Sequence, residues 1–293
     1  MTAPPLVVPF TKMSGAGNDF VVLDNRFLRF ADAELQALAA RACPRRTAVG
    51  ADGLLALDEP DAAAEGVHFR MRYRNADGSL ATMCGNGARC LARFAARAGL
   101  GEPLADGARR LTFDTDGGRY AATVPDPGDA SGPVTLDVPA PRAFGDSGLR
   151  AGGRTVWEIW TGTEHAVVFS DDAAAEPLAE LAPPLRHDAA FPQGANVNLV
   201  QVLGGDAARL RVRTYEKGVE AETLACGTGA LAAALAARLA GHVEGEAVAV
   251  EMPGGTLDVT FELGEGSLAE AVRSLTLSGP ADAIYEGTLE WRG

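Results

Sequence analysis

Two short stretches of this chain carry the residue types for moving a proton on and off a carbon. Cys84-Gly85-Asn86-Gly87-Ala88 and Cys226-Gly227-Thr228-Gly229-Ala230 share one pattern, and each opens an Ala/Leu-rich run that stops at a glycine fifteen residues past its cysteine, Gly99 and Gly241. A cysteine at a helix start sits among backbone N–H groups that lack intrahelical partners. The helix dipole there favours negative charge, so such a thiol titrates below its free value of about 8.5. The same N–H groups can hold a carboxylate, and glycines beside Asn86 and Thr228 let a ligand approach the backbone closely. A thiolate on one face of a carbon and a thiol on the other take a proton from one side and return one to the opposite side. That inverts the carbon, with each cysteine acting as base in one direction and acid in the other. The carboxylate gains charge as the proton leaves, so its stabilisation grows toward the transition state. Cys84 and Cys226 are therefore read as a catalytic pair that needs no cofactor.

The elements that position the pair are also repeated. Gly15–Leu23 parallels Thr161–Phe169, Gly50–Leu55 parallels Gly194–Leu199, and Arg70–Asn75 parallels Arg211–Glu216. With the cysteine loops these blocks keep one order at offsets of 141 to 146 residues, which marks a duplicated domain and not a solenoid. The turn-forming cluster Asp126–Pro133 reads as the boundary between the copies. Short β-rich runs dominate each half, for example Phe20–Leu23, Leu54–Leu57, Ala166–Phe169 and Val197–Val202. Leu91, Phe94 and Ala95 before Gly99, and Leu231, Leu235 and Leu239 before Gly241, recur at helical spacing, and each glycine suits the position after a helix end. Few charges in these alanine-rich runs predict buried helices. A further helix is expected at Ala33–Ala42. The expected fold is mixed α/β (α+β): two pseudo-symmetric domains, each of mixed strands wrapped around a central helix.

Composition narrows the function. The chain has 293 residues, 22% of them charged, and a net charge of −13, which argues against a nucleic-acid partner. Its start has no basic or apolar signal-peptide region, and no apolar run reaches membrane-spanning length, so a cytoplasmic protein without a membrane partner is expected. The four cysteines lack the spacing of a secreted disulfide framework. Cys43 and Cys90 have no glycine-loop context and are read as structural. The four histidines show no ligand spacing, so no metal is expected. Gly15-Ala16-Gly17 and Gly85-Asn86-Gly87 lack the third glycine of a dinucleotide fingerprint.

Four segments together resemble the diaminopimelate epimerase family: Phe10–Phe20, Asn75–Ser79, Met83–Cys90 and Leu224–Gly229. The tail from Gly279 to Gly287 is also similar, so the likeness runs nearly end to end. The resemblance implies a pyridoxal-phosphate-independent epimerase that interconverts LL- and meso-diaminopimelate for lysine and peptidoglycan synthesis. It implies two domains closing over a small amino-acid substrate, often in a homodimer. The domains would span 1–128 and 131–279, with a C-terminal strand, 280–293, returning to the first. Cys84 and Cys226 match the thiol pair. Gly85, Asn86, Gly227 and Thr228 match residues holding the reacting carboxylate. Asn18, Asn75, Asn196 and Glu216 match substrate-contacting positions, and His165 and Glu216 match positions that tune the thiols.

The departures concentrate on the part that reads the far end of the substrate. Thr163 stands where the family has Asn, Glu164 where it has Pro, and Lys217 where it has Arg. The loop Gly218–Glu222 is one residue longer, and Ser14 replaces a His. Thr163 and Lys217 are kept as substrate-binding positions, but Lys is a point charge and does not reproduce a bidentate Arg grip. The sequence therefore also admits a racemase of another amino acid, such as histidine or a proline derivative, and a non-catalytic amino-acid-binding protein.

Overall fold

The computed structural model describes residues 5–204, 208–266 and 271–292; residues 1–4 and 293 of the expected domain bounds lie outside them. The chain divides into two compact units, one running to Leu136 and taking up Gly279 onward, the other Asp137–Ser278.

The first unit contains β1 (Leu6–Gly15), β2 (Asn18–Asp24), α1 (Asn25–Leu28), α2 (Asp32–Ala42), β3 (Gly53–Asp58), β4 (Phe69–Asn75), β5 (Leu80–Ala81), α3 (Gly85–Arg97), β6 (Glu102–Pro103), β7 (Arg109–Thr115), β8 (Gly118–Val124) and β9 (Pro133–Asp137). A final strand, Asp282–Trp291, runs antiparallel to β1. β1 is antiparallel to β2, β2 parallel to β3, and β3 antiparallel to β4. β4 then runs parallel to β7, which is antiparallel to β8. The alternation of strand side chains divides the apolar residues between two faces. Val21, Leu23 and Leu54 join Leu35, Leu38 and Cys43 in one buried cluster under α2. The opposite face encloses α3, which packs against β1, β2, β3, β4, β7, β8 and the final strand.

The second unit holds β10 (Arg142–Ala151), β11 (Arg154–Trp160), β12 (Glu164–Phe169), α4 (Leu178–Arg186), β13 (Asn196–Leu203), β14 (Arg209–Glu216), β15 (Ala221–Thr223), α5 (Gly227–Leu239), β16 (Ala247–Met252), β17 (Gly255–Leu263) and β18 (Val272–Pro280), the last ending just past the unit's limit. The pairing scheme repeats that of the first unit: β12 parallel to β13, β13 antiparallel to β14, β14 parallel to β16, β16 antiparallel to β17. Even the register repeats, since Phe20 faces Gly53 where its counterpart Ala166 faces Val197. α5 is enclosed by β11, β12, β13, β14, β16 and β17. α4 covers the other face through Leu178, Ala182 and Leu185.

α3 and α5 are both 13 residues long. Each ends before a glycine with positive φ, 85° at Gly99 and 77° at Gly241, where an L side chain would be strained. The expected boundary cluster at 126–133 is bound into the first unit. The Arg93 guanidinium of α3 donates to the carbonyls of Asp126, Asp129 and Pro133. The Asp282 carboxylate accepts from the Gly132 N–H. Those ties put the division after β9 has begun, beyond the turn formers themselves.

Candidate active site

In the first unit, Cys84 is the N-cap of α3: its backbone is extended (φ −142°, ψ 119°) and its sulfur accepts from the Gly87 N–H at 3.5 Å. A cysteine thus occupies the place usually held by Ser, Thr, Asp or Asn. Gly85 opens the helix behind it, and the cysteine stays partly exposed. Gly87 has an internal duty as well as the expected one toward a ligand. A Cβ there would press on Leu55 at 3.2 Å and Phe20 at 3.4 Å, so glycine lets the first turn settle closely on β2 and β3.

A polar chain runs from this first turn into the unit. Arg89 donates to Asn86 Oδ1 at 2.7 Å, Asn86 donates to Asn18 Oδ1 at 2.7 Å, and Asn18 donates to Asp52 at 3.0 Å. Asp52 and Asp19 are bridged by Arg45, and Asp19 also pairs with Lys12 at 2.7 Å. Lys12 and Arg45 hold the Asp19 carboxyl below its ordinary value against the opposing effect of burial. Asn18, Asn86 and Cys84 are therefore brought together. Asn75 is not part of this chain; it ends β4 and donates to Ser79 at 3.0 Å within its own hairpin. The two remaining thiols of the unit are buried. Desolvation pushes Cys43 up to about 11 and Cys90 up to about 12, which leaves both protonated at neutral pH.

In the second unit, Cys226 is the N-cap of α5 and is 6% exposed. Its sulfur lies 3.4 Å from the Thr228 hydroxyl. The Thr161 hydroxyl donates to the Thr228 carbonyl at 2.8 Å, which ties the helix start to the end of β11. The underlay of the helix is polar here. A Cβ on Gly229 would meet Asn198 Oδ1 at 2.5 Å, so the Asn198 amide lies directly beneath the first turn. Asn198 in turn contacts the fully buried His165 ring. Burial pushes His165 down to about 3, so its imidazole is neutral at physiological pH. Burial also pushes the Glu216 carboxyl up.

The remaining predicted residues form a second knot. The Lys217 ammonium donates to Glu164 at 2.9 Å, to the Gly194 carbonyl at 3.2 Å and to the Gln193 carbonyl at 3.3 Å. Thr163 donates to the same Glu164 oxygen at 3.2 Å. The buried Asn196 side chain accepts from the Lys217 backbone N–H at 2.7 Å. Three acceptors match the three donors of one ammonium. The residues that replace the family pattern at 163, 164 and 217 thus bind one another.

Among the described residues no group of acidic, His or Cys side chains is arranged to hold a metal. Each unit offers a sulfur at the mouth of a buried helix, with a polar network behind it. Comparison with known proteins fixes the family. The sequence pattern described as Diaminopimelate epimerase matches residues 10–139 and 158–273. The chain belongs to the diaminopimelate epimerase family. With that family it belongs to the isomerases. A diaminopimelate epimerase of Chlorobaculum tepidum is 40% identical over 279 residues, covering 94% of this chain and 99% of that protein. One from Methanocella arvoryzae is 38% identical over 295 residues, covering 97% of each. Among solved structures, a phenazine biosynthesis protein of the PhzF family from Bacillus anthracis shares the fold with a TM-score of 0.69 at 16% identity, covering 97% of this chain and 99% of that one. A hydroxyproline epimerase from Agrobacterium vitis does so with a TM-score of 0.63 at 15% identity, covering 97% and 91%.

Sequence reasoning missed the residues beneath the helix starts. Arg89 and Arg93 are almost completely buried, although α3 reads as a low-charge helix. The signal was available: Arg89, Arg93 and Arg97 recur every four residues on a run otherwise rich in alanine. Asn198 and Thr214 carry no such sign, because a polar residue within a strand usually faces solvent.

Proposed function

We propose that this isomerase interconverts LL- and meso-diaminopimelate, the substrate of its named relatives, in lysine and peptidoglycan biosynthesis. Cys84 and Cys226 are the acid–base pair, one as thiolate and one as thiol, acting on the two faces of one α-carbon. The observation that carries the reading is that both cysteines are N-caps of enclosed helices of equal length. The N–H groups at Gly85, Asn86, Gly227 and Thr228 hold the carboxylate whose charge rises as the α-proton leaves. Asn18, Asn75, Thr163, Asn196, Glu216 and Lys217 contact the rest of the substrate. A neutral His165 and a half-buried Glu216 tune the second thiol. No cofactor takes part. The two compact units are the two epimerase domains, and the enzyme works in the cytoplasm. It works as a homodimer, a reading supported by Leu6, Val7, Ile284 and Tyr285, which are exposed on β1 and the strand paired with it.

The test is entry of solvent deuterium at the α-carbon of LL-diaminopimelate, in the wild type and with Cys84→Ala or Cys226→Ala. Epimerisation is lost in both variants. Full epimerisation surviving either substitution defeats the two-thiol reading.

A second reading keeps the chemistry and changes the substrate. It is favoured by the Lys217–Glu164 pair, which neutralises the cation at the position expected to read the distal carboxylate. Brisk racemisation of another amino acid, with no turnover of diaminopimelate, would decide for it.

A further inference from the structure

Among the described residues Arg89 is the largest completely buried side chain, with no exposed surface. A buried guanidinium ordinarily meets a carboxylate or several carbonyls. Arg93, one turn further on, does so with three carbonyls. Arg89 makes one hydrogen bond, to Asn86 Oδ1, and its Nε and Nη1 find no protein partner among the described residues. Burial pushes its proton affinity down, and the charges that would oppose that effect are those of the Cys90 and Cys84 thiols. Cys90 is sealed and protonated, with Asp282 and Arg93 as its further charged neighbours. Cys84 is the thiol that reaches solvent.

The duplication supplies an internal comparison. The position matching Arg89 in the second cysteine helix is Leu231, which is apolar and buried. Beneath the second helix start lie Asn198, Thr214 and the uncharged His165, with the Glu216 carboxyl and the mutually paired Lys217 and Glu164 as the titratable groups on that side. The two helix starts share a cysteine at the N-cap and differ in the buried cation beside the helix start.

We propose that Arg89 is a positioning residue for the first thiol: it anchors the Asn86 amide and sets a fixed positive charge beneath Cys84, which Leu231 does not supply to Cys226. The proposal rests on the two-thiol reading above and adds to it. Arg89 touches no substrate. It makes Cys84 the resting thiolate and leaves Cys226 the resting thiol, so the free enzyme is poised for one direction of proton transfer. A cation in a desolvated site lowers a neighbouring acid by about one to three pH units, and a guanidinium keeps its charge where an ammonium readily loses it.

The test reads protonation and not turnover. Ultraviolet thiolate absorbance is followed against pH in Cys226→Ser, which reports Cys84, and in Cys84→Ser, which reports Cys226. Cys43 and Cys90 stay silent because burial holds them near 11 and 12. Cys84 titrates at least about one pH unit below Cys226. Adding Arg89→Met to Cys226→Ser raises the Cys84 midpoint by about one unit or more, and Arg89→Lys recovers part of that shift. An unmoved midpoint in a folded Arg89→Met protein overturns the proposal, as does a Cys226 midpoint at or below that of Cys84. The second comparison needs no Arg89 variant, so it decides the matter even if Arg89→Met does not fold. Epimerase turnover surviving Cys84→Ala would refute the functional reading while leaving this titration result standing.

Discussion

His165 Nδ1 accepts a hydrogen bond from the Asn198 amide at 2.9 Å, within a shell that leaves the imidazole no exposed surface. The amide's orientation follows from its other contacts. Its nitrogen also donates to the Ala166 carbonyl at 3.3 Å, and its oxygen accepts from the Thr214 hydroxyl at 2.9 Å. The ring proton therefore sits on Nε2. A neutral imidazole locked in one tautomer supports the second helix start without adding charge to it.

This histidine makes stability depend on pH. Its folded value of about 3 lies below the ordinary 6.5, so the unfolded chain takes up a proton first as pH falls. The stability it confers is whole above 6.5 and is lost progressively toward 3. By pH 5 the loss is about 2 kcal/mol. Urea midpoints at pH 7.5 and pH 5 check it, and His165→Gln should remove that part of the slope.

Glu216 has the opposite sign. Burial raises its carboxyl, so the stability tied to the protonated form is present at low pH and is lost as pH rises through the folded value. Glu216→Gln should be at least as stable as the wild type at pH 8 while losing tenfold or more in kcat/KM, on the order expected for a tuned group at a reacting centre. Paired denaturation and deuterium-exchange measurements test both halves.

Substrate reading hinges on the Lys217–Glu164 contact. Glu164→Gln releases the ammonium from a full carboxylate charge. If Lys217 serves a distal carboxylate, KM for diaminopimelate falls by roughly threefold or more with kcat little changed, the pattern of strengthened uniform binding. An increase in KM would show that Glu164 itself serves the substrate.

The longer loop after Lys217 holds Glu220 at φ 57°, a left-handed conformation that costs a non-glycine residue about 1 kcal/mol. Its carboxylate accepts from Arg186 at 2.8 and 3.2 Å and from the Gly218 N–H at 3.0 Å. Glu220→Ala loses these contacts and keeps the strain, while Glu220→Gly loses them and relieves it. The glycine variant should therefore be the more stable by about 1 kcal/mol in urea denaturation.

The duplicated helices are legible in sequence because glycine marks both ends; burial of α5 follows from alanine and leucine all round, whereas α3 is buried with two of its arginines. The strands β2, β3, β12 and β13 are legible because apolar runs buried on both faces have no polar interruption. Two elements are hidden for opposite reasons. α4 carries Pro183 and Pro184, which remove backbone donors and argue against a helix; Leu178, Ala182 and Leu185 hold it through packing instead. β10 contains Gly145, Asp146 and Gly148, reads as turn, and pairs with β11 through two register shifts. At the site, the motifs show which residues line the helix starts. They do not show that residues 163, 164 and 217 bind one another, because that knot joins parts of the chain more than fifty residues apart.

The sulfur of Cys84 also secures the first turn of its own helix, since it receives the Gly87 N–H. Two equivalents of peroxide that carry this sulfur to the sulfinate, releasing water, would place two oxygens sharing one negative charge where an aspartate side chain would end, an arrangement helices favour at that point. Oxidative inactivation would then harden the protein while silencing it, and heat resistance would rise as turnover vanished.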